Sequence, residues 1–237
     1  MKLSLIGYGK MGHAVEKAAS GRGHVVVCTA DNEEELKERE NLLKQCDIAI
    51  EFTTPNTAAQ NIRFCLENDI PIVCGTTGWY SKYEELAELC RQRDGALFTA
   101  TNFSIGMNIM FALNVRLAEL MKGRGEYSAD ITETHHIHKL DAPSGTAITL
   151  QQQIAAGREL TVEQIPIVSI REGEVAGTHT VRYNSTTDTI TLTHEAHSRA
   201  GLALGALLAA EFLVGKKGIY TMKEMIDNTL QRTSSSK

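Results

Sequence analysis

Three histidines and one lysine occur within five consecutive residues of the chain: His135, His136, His138 and Lys139. A histidine can donate a proton near neutral pH, and the lysine ammonium is a compact positive charge that binds anions. Ser144-Gly145-Thr146 follows Pro143 and is expected to begin a helix, whose free backbone amides would bind an anion. We therefore predict that residues 135–146 bind a substrate that carries a carboxylate and supply it with a proton.

Two simpler explanations of these residues are a zinc site and a solvated polar loop. A zinc site is less favoured, because none of the three histidines is four positions from another and no cysteine lies nearby. All five cysteines lie in the first 90 residues, their number is odd, and no pair has the C-x-x-C spacing. The sequence therefore predicts neither a metal site nor a disulfide framework.

A glycine-rich segment lies near the N-terminus, directly after the apolar run KLSLI: Gly7-Tyr8-Gly9-Lys10-Met11-Gly12. We expect Gly7 to allow a tight turn, Gly9 to let the backbone approach a pyrophosphate, and Gly12 to allow close packing of a helix against the strand. The amides at the start of that helix would face the phosphates. Residues 7–12 therefore predict nucleotide binding.

Asp31 follows the second apolar run, 19 residues after Gly12 (31 − 12), which is close to the spacing of a carboxylate that binds the cofactor ribose. A solvated turn residue is the alternative. A carboxylate here disfavours a 2′-phosphate, and no arginine adjoins it, since Lys37 and Arg39 are six and eight residues further on. We predict NADH or NADPH as cofactor with a preference for NADH, although Lys10 could still reach a phosphate.

The elements that must position these residues differ between two parts of the chain. Residues 1–104 alternate short β-branched apolar runs with amphipathic stretches, which is typical of parallel strands covered by helices on both faces. We predict an α/β fold with an N-terminal, Rossmann-like, doubly wound parallel sheet. Two segments each follow a predicted strand and could contact a ligand or form ordinary turns. They are Gly75-Thr76-Thr77-Gly78 and Ala100-Thr101-Asn102-Phe103.

Residues 105–201 change to strands joined without helices, after one long helix over 104–121. Strand-like segments and a second helix follow, at 129–135, 165–171, 178–184, 189–196 and 146–156. We predict a C-terminal α+β domain with an open mixed or antiparallel sheet and its helices on one face, serving substrate binding and oligomerisation. Threonines dominate the other face, which allows subunits to assemble sheet to sheet. Residues 202–213 and 222–230 are predicted to be helical, and the segment 202–237 is predicted to pack back on the first domain.

Charge and hydropathy exclude several classes of partner. The chain has 237 residues with 24 basic and 29 acidic side chains, and its net charge of −5 would be repelled by nucleic acid or an anionic membrane. It contains no run of 18 apolar residues and no N-terminal signal sequence. With the unpaired cysteines, these features predict a cytoplasmic protein without a nucleic-acid or membrane partner.

Four motifs together resemble the dihydrodipicolinate reductase family. They are E-x-H-H-x-x-K-x-D-A-P-S-G-T-A at 133–147, G-x-G-x-M-G at 7–12, G-T-T-G at 75–78 and N-F-S-x-G at 102–106, in the order of the family and spanning the chain. The resemblance implies a two-domain enzyme of the diaminopimelate route to lysine. Such an enzyme reduces the cyclic dicarboxylate 4-hydroxy-tetrahydrodipicolinate to tetrahydrodipicolinate with NAD(P)H. It also implies a homotetramer in which the second-domain sheets meet.

The resemblance also implies roles for individual residues. His135 is the general acid, and Lys139 is the positive residue that binds and polarises the substrate. The substrate carboxylates contact His136, Gly145, Thr146 and Thr77. The cofactor is lined by Gly7, Tyr8, Gly9, Lys10, Met11, Gly12, Asp31, Gly75, Thr76, Thr77, Ala100, Thr101, Asn102 and Phe103. The segment 32–46 is shorter than in longer family members, and the glycine loop is one residue tighter. Both departures fall where the adenosine part of the cofactor would bind, so they affect the cofactor preference and not the chemistry.

Two other functions fit parts of the sequence. Another two-domain dehydrogenase of amino-acid metabolism, such as an aspartate-semialdehyde or aspartate dehydrogenase, would share the build. The former needs a cysteine nucleophile in its second domain, where this chain has none. A non-catalytic NAD-binding regulator would leave no reason for His135, Lys139 and Gly145-Thr146 to match together.

Overall fold

The computed structural model of the protein describes the backbone of residues 1–234 and the side chains of residues 1–228. Its strands are β1 (Lys2–Ile6), β2 (Val25–Ala30), β3 (Ile48–Glu51), β4 (Ile72–Cys74), β5 (Ala96–Thr99), β6 (Ser128–His135), β7 (Ile167–Arg171), β8 (Thr178–Asn184), β9 (Thr189–Glu195) and β10 (Gly218–Tyr220). Its helices are α1 (Lys10–Gly21), α2 (Glu33–Glu38), α3 (Glu40–Leu43), α4 (Pro55–Glu67), α5 (Tyr83–Gln92), α6 (Ile105–Leu120), α7 (Gly145–Arg158), α8 (Ala200–Leu213) and α9 (Met222–Ser234). None of the described helices has both the length and the apolar composition needed to cross a membrane.

The chain divides into two compact units. The first combines Met1–Ile105 with the chain from Ala200 onward, and the second is Gly106–Arg199. The chain therefore passes from the first unit to the second after Ile105 and returns after Arg199. Residues 235–237 of the predicted C-terminal segment 202–237 lie outside the described part of the chain.

The first unit contains a six-stranded parallel sheet in the order β10-β5-β4-β3-β1-β2. Neighbouring residues of one strand belong to different cores: Ile48 and Ile50 pack with α1, α8 and α9, whereas Ala49 packs with α4 and α5. Both faces of the sheet are thus covered, which explains why its strands are almost continuously apolar. The predicted Rossmann-like, doubly wound fold is confirmed.

Three elements of this unit were not predicted from the sequence: α2, α3 and β10. α2 is short and mostly charged, and α3 has only four residues, so neither contains an apolar stripe long enough for a periodicity to reveal. α2 is stabilised instead by its first turn, in which the Asn32 side chain accepts the Glu35 N–H at 2.9 Å. β10 has only three residues and extends the sheet beside β5.

The second unit contains a four-stranded sheet in the order β7-β6-β8-β9. β6 pairs in parallel with β7 and antiparallel with β8, so the sheet is mixed, one of the two predicted forms. Helices α6 and α7 pack on one face around a core that includes Met107, Ile131 and Leu150. The other face carries the predicted threonines of β8 and β9, beside the exposed Val168 and Ile170 of β7.

Strand β6 changes from apolar to ionisable along its covered face. Buried and part-exposed residues alternate, so Ala129, Ile131, Glu133 and His135 all point to the same side. The first two pack in the core of the second unit. The last two end the strand in a buried polar cluster, which positions the candidate site.

Candidate active site

The glycine loop between β1 and α1 has the geometry that a dinucleotide-binding loop requires. Gly7 has a φ of +89°, and a Cβ atom there would lie 2.0 Å from the carbonyl oxygen of Phe52. A Cβ atom on Gly12 would lie 2.5 Å from the carbonyl oxygen of Gly7. Gly9 is exposed, and a Cβ atom there would meet no atom within 4 Å, so a ligand can reach its backbone. These residues fit the pyrophosphate of a dinucleotide.

Asp31 directly follows β2 and is joined to this loop. Its Oδ1 accepts a hydrogen bond from the backbone N–H of Tyr8. In the sheet, β1 lies between β2 and β3, where the strand order reverses and where ligands bind in sheets of this type. The structure therefore brings the predicted loop and its acidic partner together at the switch point.

The predicted cofactor residues that follow β4 and β5 are partly accessible. Thr77 and Thr101 are exposed, whereas Ala100 and Asn102 are half-buried. A Cβ atom on Gly75 would lie 2.0 Å from the Phe52 ring, so only glycine fits there. Because β4 pairs with both β3 and β5, these segments share the carboxyl edge of the sheet with the glycine loop.

Two of the predicted cofactor residues have buried side chains. Thr76 is 7% exposed, and its Oγ1 accepts the N–H of Thr53 at 2.7 Å. Phe103 is 2% exposed and packs in the core beside Phe98, with ring centroids 5.8 Å apart. Any contact of these two residues with a cofactor would therefore come from their backbone atoms.

Glu51, at the end of β3, is a fully buried carboxylate that the sequence analysis did not single out. Its Oε1 accepts a hydrogen bond from Thr76 Oγ1 at 3.1 Å, and its Oε2 accepts one from Cys74 Sγ at 2.9 Å. Burial, followed by the negative charge of Glu51, raises the pKa of the Cys74 thiol well above its usual value. Glu51 thus ties together the segments that follow β3 and β4.

In the second unit, strand register places four polar residues in one row across the sheet: Ser169, Glu133, His179 and His194. Glu133 is fully buried at the centre of this row. Its Oε1 accepts hydrogen bonds from Ser169 Oγ at 2.7 Å and from the Ser144 N–H at 3.0 Å. Burial would raise the pKa of Glu133, but these hydrogen bonds outweigh it and hold the pKa below its usual value.

His135, the predicted general acid, lies beside this carboxylate. Its Nδ1 is 3.4 Å from Glu133 Oε2, and its ring contacts the ring of His179 edge to face, with centroids 4.9 Å apart. The other nitrogen, Nε2, faces Gly177, where a Cβ atom would lie only 3.1 Å away. His135 is therefore mostly buried, with one nitrogen toward a carboxylate and the other toward a position without a side chain.

The surroundings of the two histidines disfavour their charged forms. Burial, and then the positive charge of a protonated His135, lowers the pKa of His179 to about 4. Burial also lowers the pKa of His135, where the Glu133 carboxylate acts in the opposite sense and Lys139 and Arg171 add to the lowering. Glu133 is thus the buried charge that favours a protonated His135.

Lys139, the predicted substrate-binding cation, is paired with Asp141. Its Nζ lies 2.8 and 3.0 Å from the two carboxylate oxygens, and this pairing lowers the pKa of Asp141. Arg171 holds the loop in place, because it donates to the backbone carbonyls of Lys139 at 3.3 Å and Asp141 at 2.6 Å. The same guanidinium reaches Glu133 Oε1 at 3.3 Å. The ammonium is thus held near the histidines and already engages a carboxylate.

Helix α7 begins beside this loop, as predicted. Ser144 is its N-cap residue, and its Oγ accepts the N–H of Ala147 at 3.2 Å. Gly145 is exposed, and a Cβ atom there would meet no atom within 4 Å. Gly145 and the half-buried Thr146 therefore leave room for an anion at the helix start.

The remaining predicted residues lie apart from the buried row. His136 is half-buried, and the exposed His138 pairs with Glu174 at 3.0 Å instead of joining the cluster. Thr77 belongs to the first unit, whereas the other predicted substrate residues belong to the second.

Glu133, His135 and His179 form a group that could also hold a metal ion, since one ligand atom of each lies within 4.8 Å of the others. The neighbouring charges oppose a cation, because Arg171 approaches the same carboxylate at 3.3 Å. Moreover, Oε1 already accepts hydrogen bonds from Ser144 and other donors. We therefore assign the cluster to proton transfer and anion binding.

Glu133, Arg171, Gly177 and His179 were not predicted from the sequence to have a role in the site. Glu133 begins the motif at 133–147, and its spacing of two from His135 on a predicted strand was a signal that both share a face. The other three lie more than 30 positions further on and meet it only through strand pairing.

Comparisons with known proteins agree over the whole chain. The family model for the N-terminus of dihydrodipicolinate reductase matches residues 1–103, and the model for its C-terminus matches residues 106–226. A 4-hydroxy-tetrahydrodipicolinate reductase of Christiangramia forsetii is 44% identical over 96% of this chain and 98% of its own length. One from Thermosipho africanus is 34% identical over 95% and 98%.

A solved structure shares the fold. The dipicolinate-bound dihydrodipicolinate reductase from Paenisporosarcina sp. TG-14 superposes with a TM-score of 0.77, at 22% identity, over 94% of this chain and 98% of that one. The resemblance inferred from the four sequence motifs is confirmed by these matches.

Proposed function

The chain belongs to the dihydrodipicolinate reductase family, and on that premise we propose that it reduces 4-hydroxy-tetrahydrodipicolinate with His135 as the proton donor. It is an NAD(P)H-dependent oxidoreductase of the diaminopimelate route to lysine, as its family membership implies. The observation that carries the residue assignment is the cluster in the second unit, in which an imidazole, an ammonium and the start of α7 belong to one short stretch of chain.

The residues of the first unit fit a dinucleotide. Gly7 to Gly12 form the pyrophosphate loop, Asp31 lies where a ribose hydroxyl would be bound, and the segments 75–77 and 100–103 follow the neighbouring strands. The cofactor supplies the hydride when it is bound.

NADH is the proposed preference over NADPH. The Asp31 carboxylate would repel a 2′-phosphate, and the next two basic residues in the sequence, Lys37 and Arg39, are already paired. Lys37 Nζ lies 2.5 Å from Glu33, and Arg39 lies 3.1 Å from Glu35. No arginine adjoins Asp31 to accommodate the extra phosphate.

The proton donor acts at the ring carbon next to the one that is reduced. Loss of water from the 4-hydroxy ring gives a conjugated C=C–C=N acceptor. Addition of a hydride to this acceptor leaves negative charge on the ring, which a proton at the neighbouring carbon neutralises. His135 can deliver this proton from Nε2, the nitrogen that does not face Glu133. A positioned acid of this kind contributes about 10²–10⁴-fold to the rate.

The substrate carboxylates are bound by groups of complementary charge and geometry. We assign one to Lys139 and to the open amides of Gly145 and Thr146, with His136 and Thr77 as further contacts. When the substrate binds, the Lys139 ammonium would leave the Asp141 carboxylate and pair with a substrate carboxylate instead. The Paenisporosarcina protein, whose structure contains dipicolinate, supports a planar dicarboxylate as the kind of ligand that such a site takes.

We also propose a cytoplasmic homotetramer assembled through the uncovered face of the second sheet. That face carries exposed Val168 and Ile170 beside the threonines of β8 and β9. The five cysteines are free thiols, which supports a reducing compartment. Light scattering at working concentration tests the assembly, and a stable monomer would exclude it.

The decisive experiment mixes the purified protein with NADH and freshly prepared 4-hydroxy-tetrahydrodipicolinate and follows the nicotinamide absorbance. We expect oxidation of NADH that is inhibited by pyridine-2,6-dicarboxylate, and a large loss of kcat in His135→Gln. Turnover of an aspartate-semialdehyde-type substrate instead, or wild-type turnover in His135→Gln, would refute the proposal.

A further inference from the structure

Glu133 is a buried carboxylate that has no direct part in the proposed chemistry. It is fully buried, although an ionised carboxylate is costly to bury unless it is paired and hydrogen-bonded. It lies two residues before His135 on β6, and both face the same side of the sheet. Its contacts therefore show what this buried charge holds in place.

One oxygen of Glu133 is fixed by the protein scaffold. Oε1 accepts the Ser144 N–H at 3.0 Å and the Ser169 hydroxyl at 2.7 Å, and lies 3.3 Å from Arg171 Nη2. Ser144 caps the helix whose next residues, 145 and 146, are proposed to bind a substrate carboxylate. Arg171 in turn holds the backbone of the loop that carries Lys139. This oxygen thus connects both anion-binding elements.

The other oxygen faces the two histidines. Oε2 lies 3.4 Å from His135 Nδ1 and 3.8 Å from His179 Nε2, and neither Oε2 nor His135 Nδ1 has a hydrogen-bond partner among the described residues. Because the pKa of His179 is lowered to about 4, that ring is neutral near pH 7 and leaves the charge of Glu133 to act on His135. A proton on Nδ1 would have this buried carboxylate oxygen 3.4 Å away.

Charged groups on β6, on β7 and in the loop after β6 act on His135. Lys139 and Arg171 disfavour its protonated form, and Asp141 and Glu133 favour it. Asp141 is exposed and already paired with Lys139, whereas Glu133 is buried. The groups that face the cluster are Glu133 on β6, Lys139 and Asp141 in the following loop, Arg171 on β7, His179 on β8 and His194 on β9.

We propose that Glu133 is the positioning residue of the reductase site, holding His135 by one carboxylate oxygen and the N-cap of the carboxylate-binding helix by the other. The proposal rests on the function assigned above. In this role, the buried Glu133 carboxylate orients the imidazole of His135, favours its protonated form and fixes the start of α7. It thereby keeps the proton donor and the substrate-carboxylate site in fixed positions relative to each other.

Two substitutions separate these effects. Glu133→Gln keeps an oxygen for Ser144 but removes the charge, so we expect kcat to fall about 10- to 100-fold with little change in KM. The alkaline decline of kcat should move to lower pH, because His135 loses the anion that favours its protonated form. Glu133→Ala should also raise KM, since the Ser144 N–H loses its acceptor.

Asp130→Asn is the matched control: it removes the same charge from the same strand, beside Arg182, and should leave the pH profile unchanged.

A measurement without substrate distinguishes failure of this proposal from failure of the proposed function. Histidine labelled with 13C at Cε1 is titrated by NMR in the full-length wild type and in Glu133→Gln, with His135→Gln to assign the signal. We expect a lower pKa of His135 in Glu133→Gln. An unchanged pKa, or a reduced kcat without a shift of the pH profile, would overturn the proposal even in an active reductase. If the wild type were inactive, the proposed function would be refuted, but this titration could still be interpreted. If Glu133→Ala does not fold, Glu133→Gln alone tests the proposal.

Discussion

The Nε2 atom of His135 lies beside the backbone of Gly177, and a Cβ atom on that glycine would be 3.1 Å from it. Gly177 directly precedes β8, whose first residue, Thr178, pairs with Thr134 near the end of β6. The absence of a side chain at residue 177 therefore leaves space beside the nitrogen that we propose as the proton donor. This relationship gives a first prediction.

Gly177→Ala should lower kcat by about tenfold or more, because a methyl group would displace the imidazole, and small misplacements of catalytic groups are costly. Steady-state kinetics with NADH as the fixed substrate measures it. Gly177 also has a φ of +149°, so backbone strain must be separated from contact with His135. Gly173→Ala is the control, because Gly173 has a φ of +45° but an open Cβ position. An equal loss of kcat in the two variants would argue against the steric explanation.

Lys139→Ala should lower kcat and raise KM together. The ammonium is proposed to hold a substrate carboxylate before and during the reaction, and a hydrogen bond to a charged group contributes roughly 1.5–3 kcal/mol. A loss of about tenfold to a hundredfold in kcat/KM is expected from initial rates over a range of substrate concentration. Lys122→Ala removes an exposed lysine of the same unit, paired with Glu159, and should have no effect. If Lys139→Ala and Lys122→Ala had the same kcat and KM, Lys139 would not be part of the substrate site.

The ratio of kcat/KM for NADH and NADPH should favour NADH, and Asp31→Asn should shift it toward NADPH. Asparagine keeps an oxygen for the Tyr8 N–H but removes the charge that repels a 2′-phosphate. Glu34→Gln, which removes an exposed charge three residues away, serves as the control. A strong preference of the wild type for NADPH would contradict the cofactor assignment.

Stability should fall as the pH decreases from about 6.5 to about 4. An unfolded histidine titrates near 6.5, whereas the pKa of His179 is lowered to about 4 by burial. In this window the unfolded chain binds more protons than the folded one, so protons favour unfolding. Urea denaturation at several pH values should show a shallower dependence in His179→Asn than in the wild type. His197→Asn, at an exposed histidine, should keep the wild-type slope; identical slopes in all three proteins would show that His179 is not responsible.

Gly205→Ala should destabilise the first unit by about 1–3 kcal/mol. A Cβ atom on Gly205 would lie 1.7 Å from the carbonyl oxygen of Phe103, so α8 must move away from the strand edge that carries residues 100–103. Gly201→Ala changes an open position in the same helix and should be neutral or stabilising by up to ~1 kcal/mol. Thermal and urea unfolding of both variants checks this. A Gly205→Ala protein as stable as Gly201→Ala would show that the close packing is not required.

The sequence by itself determined the fold class and most of the helices and strands. Strand β8 was predicted at its observed bounds, and the apolar runs of the first 104 residues predicted the parallel, doubly wound sheet. These predictions succeed because periodicity and glycine position are local properties of the chain. His135, Lys139 and Gly145 also lie on one short stretch of chain, so their roles could be predicted together.

Only the tertiary structure decided which distant residues complete the cluster. Glu133 meets Ser169 and His179 because β6 pairs in parallel with β7 and antiparallel with β8, and a shift of one residue would turn these side chains to the other face. Strand register depends on the packing of the whole unit, so no local pattern predicts it. For the same reason, the sequence did not predict that His135 Nε2 lies beside Gly177. The sequence therefore shows which residue types are present. Contacts between strands that are far apart in sequence set the environment that shifts the pKa values and positions of these residues.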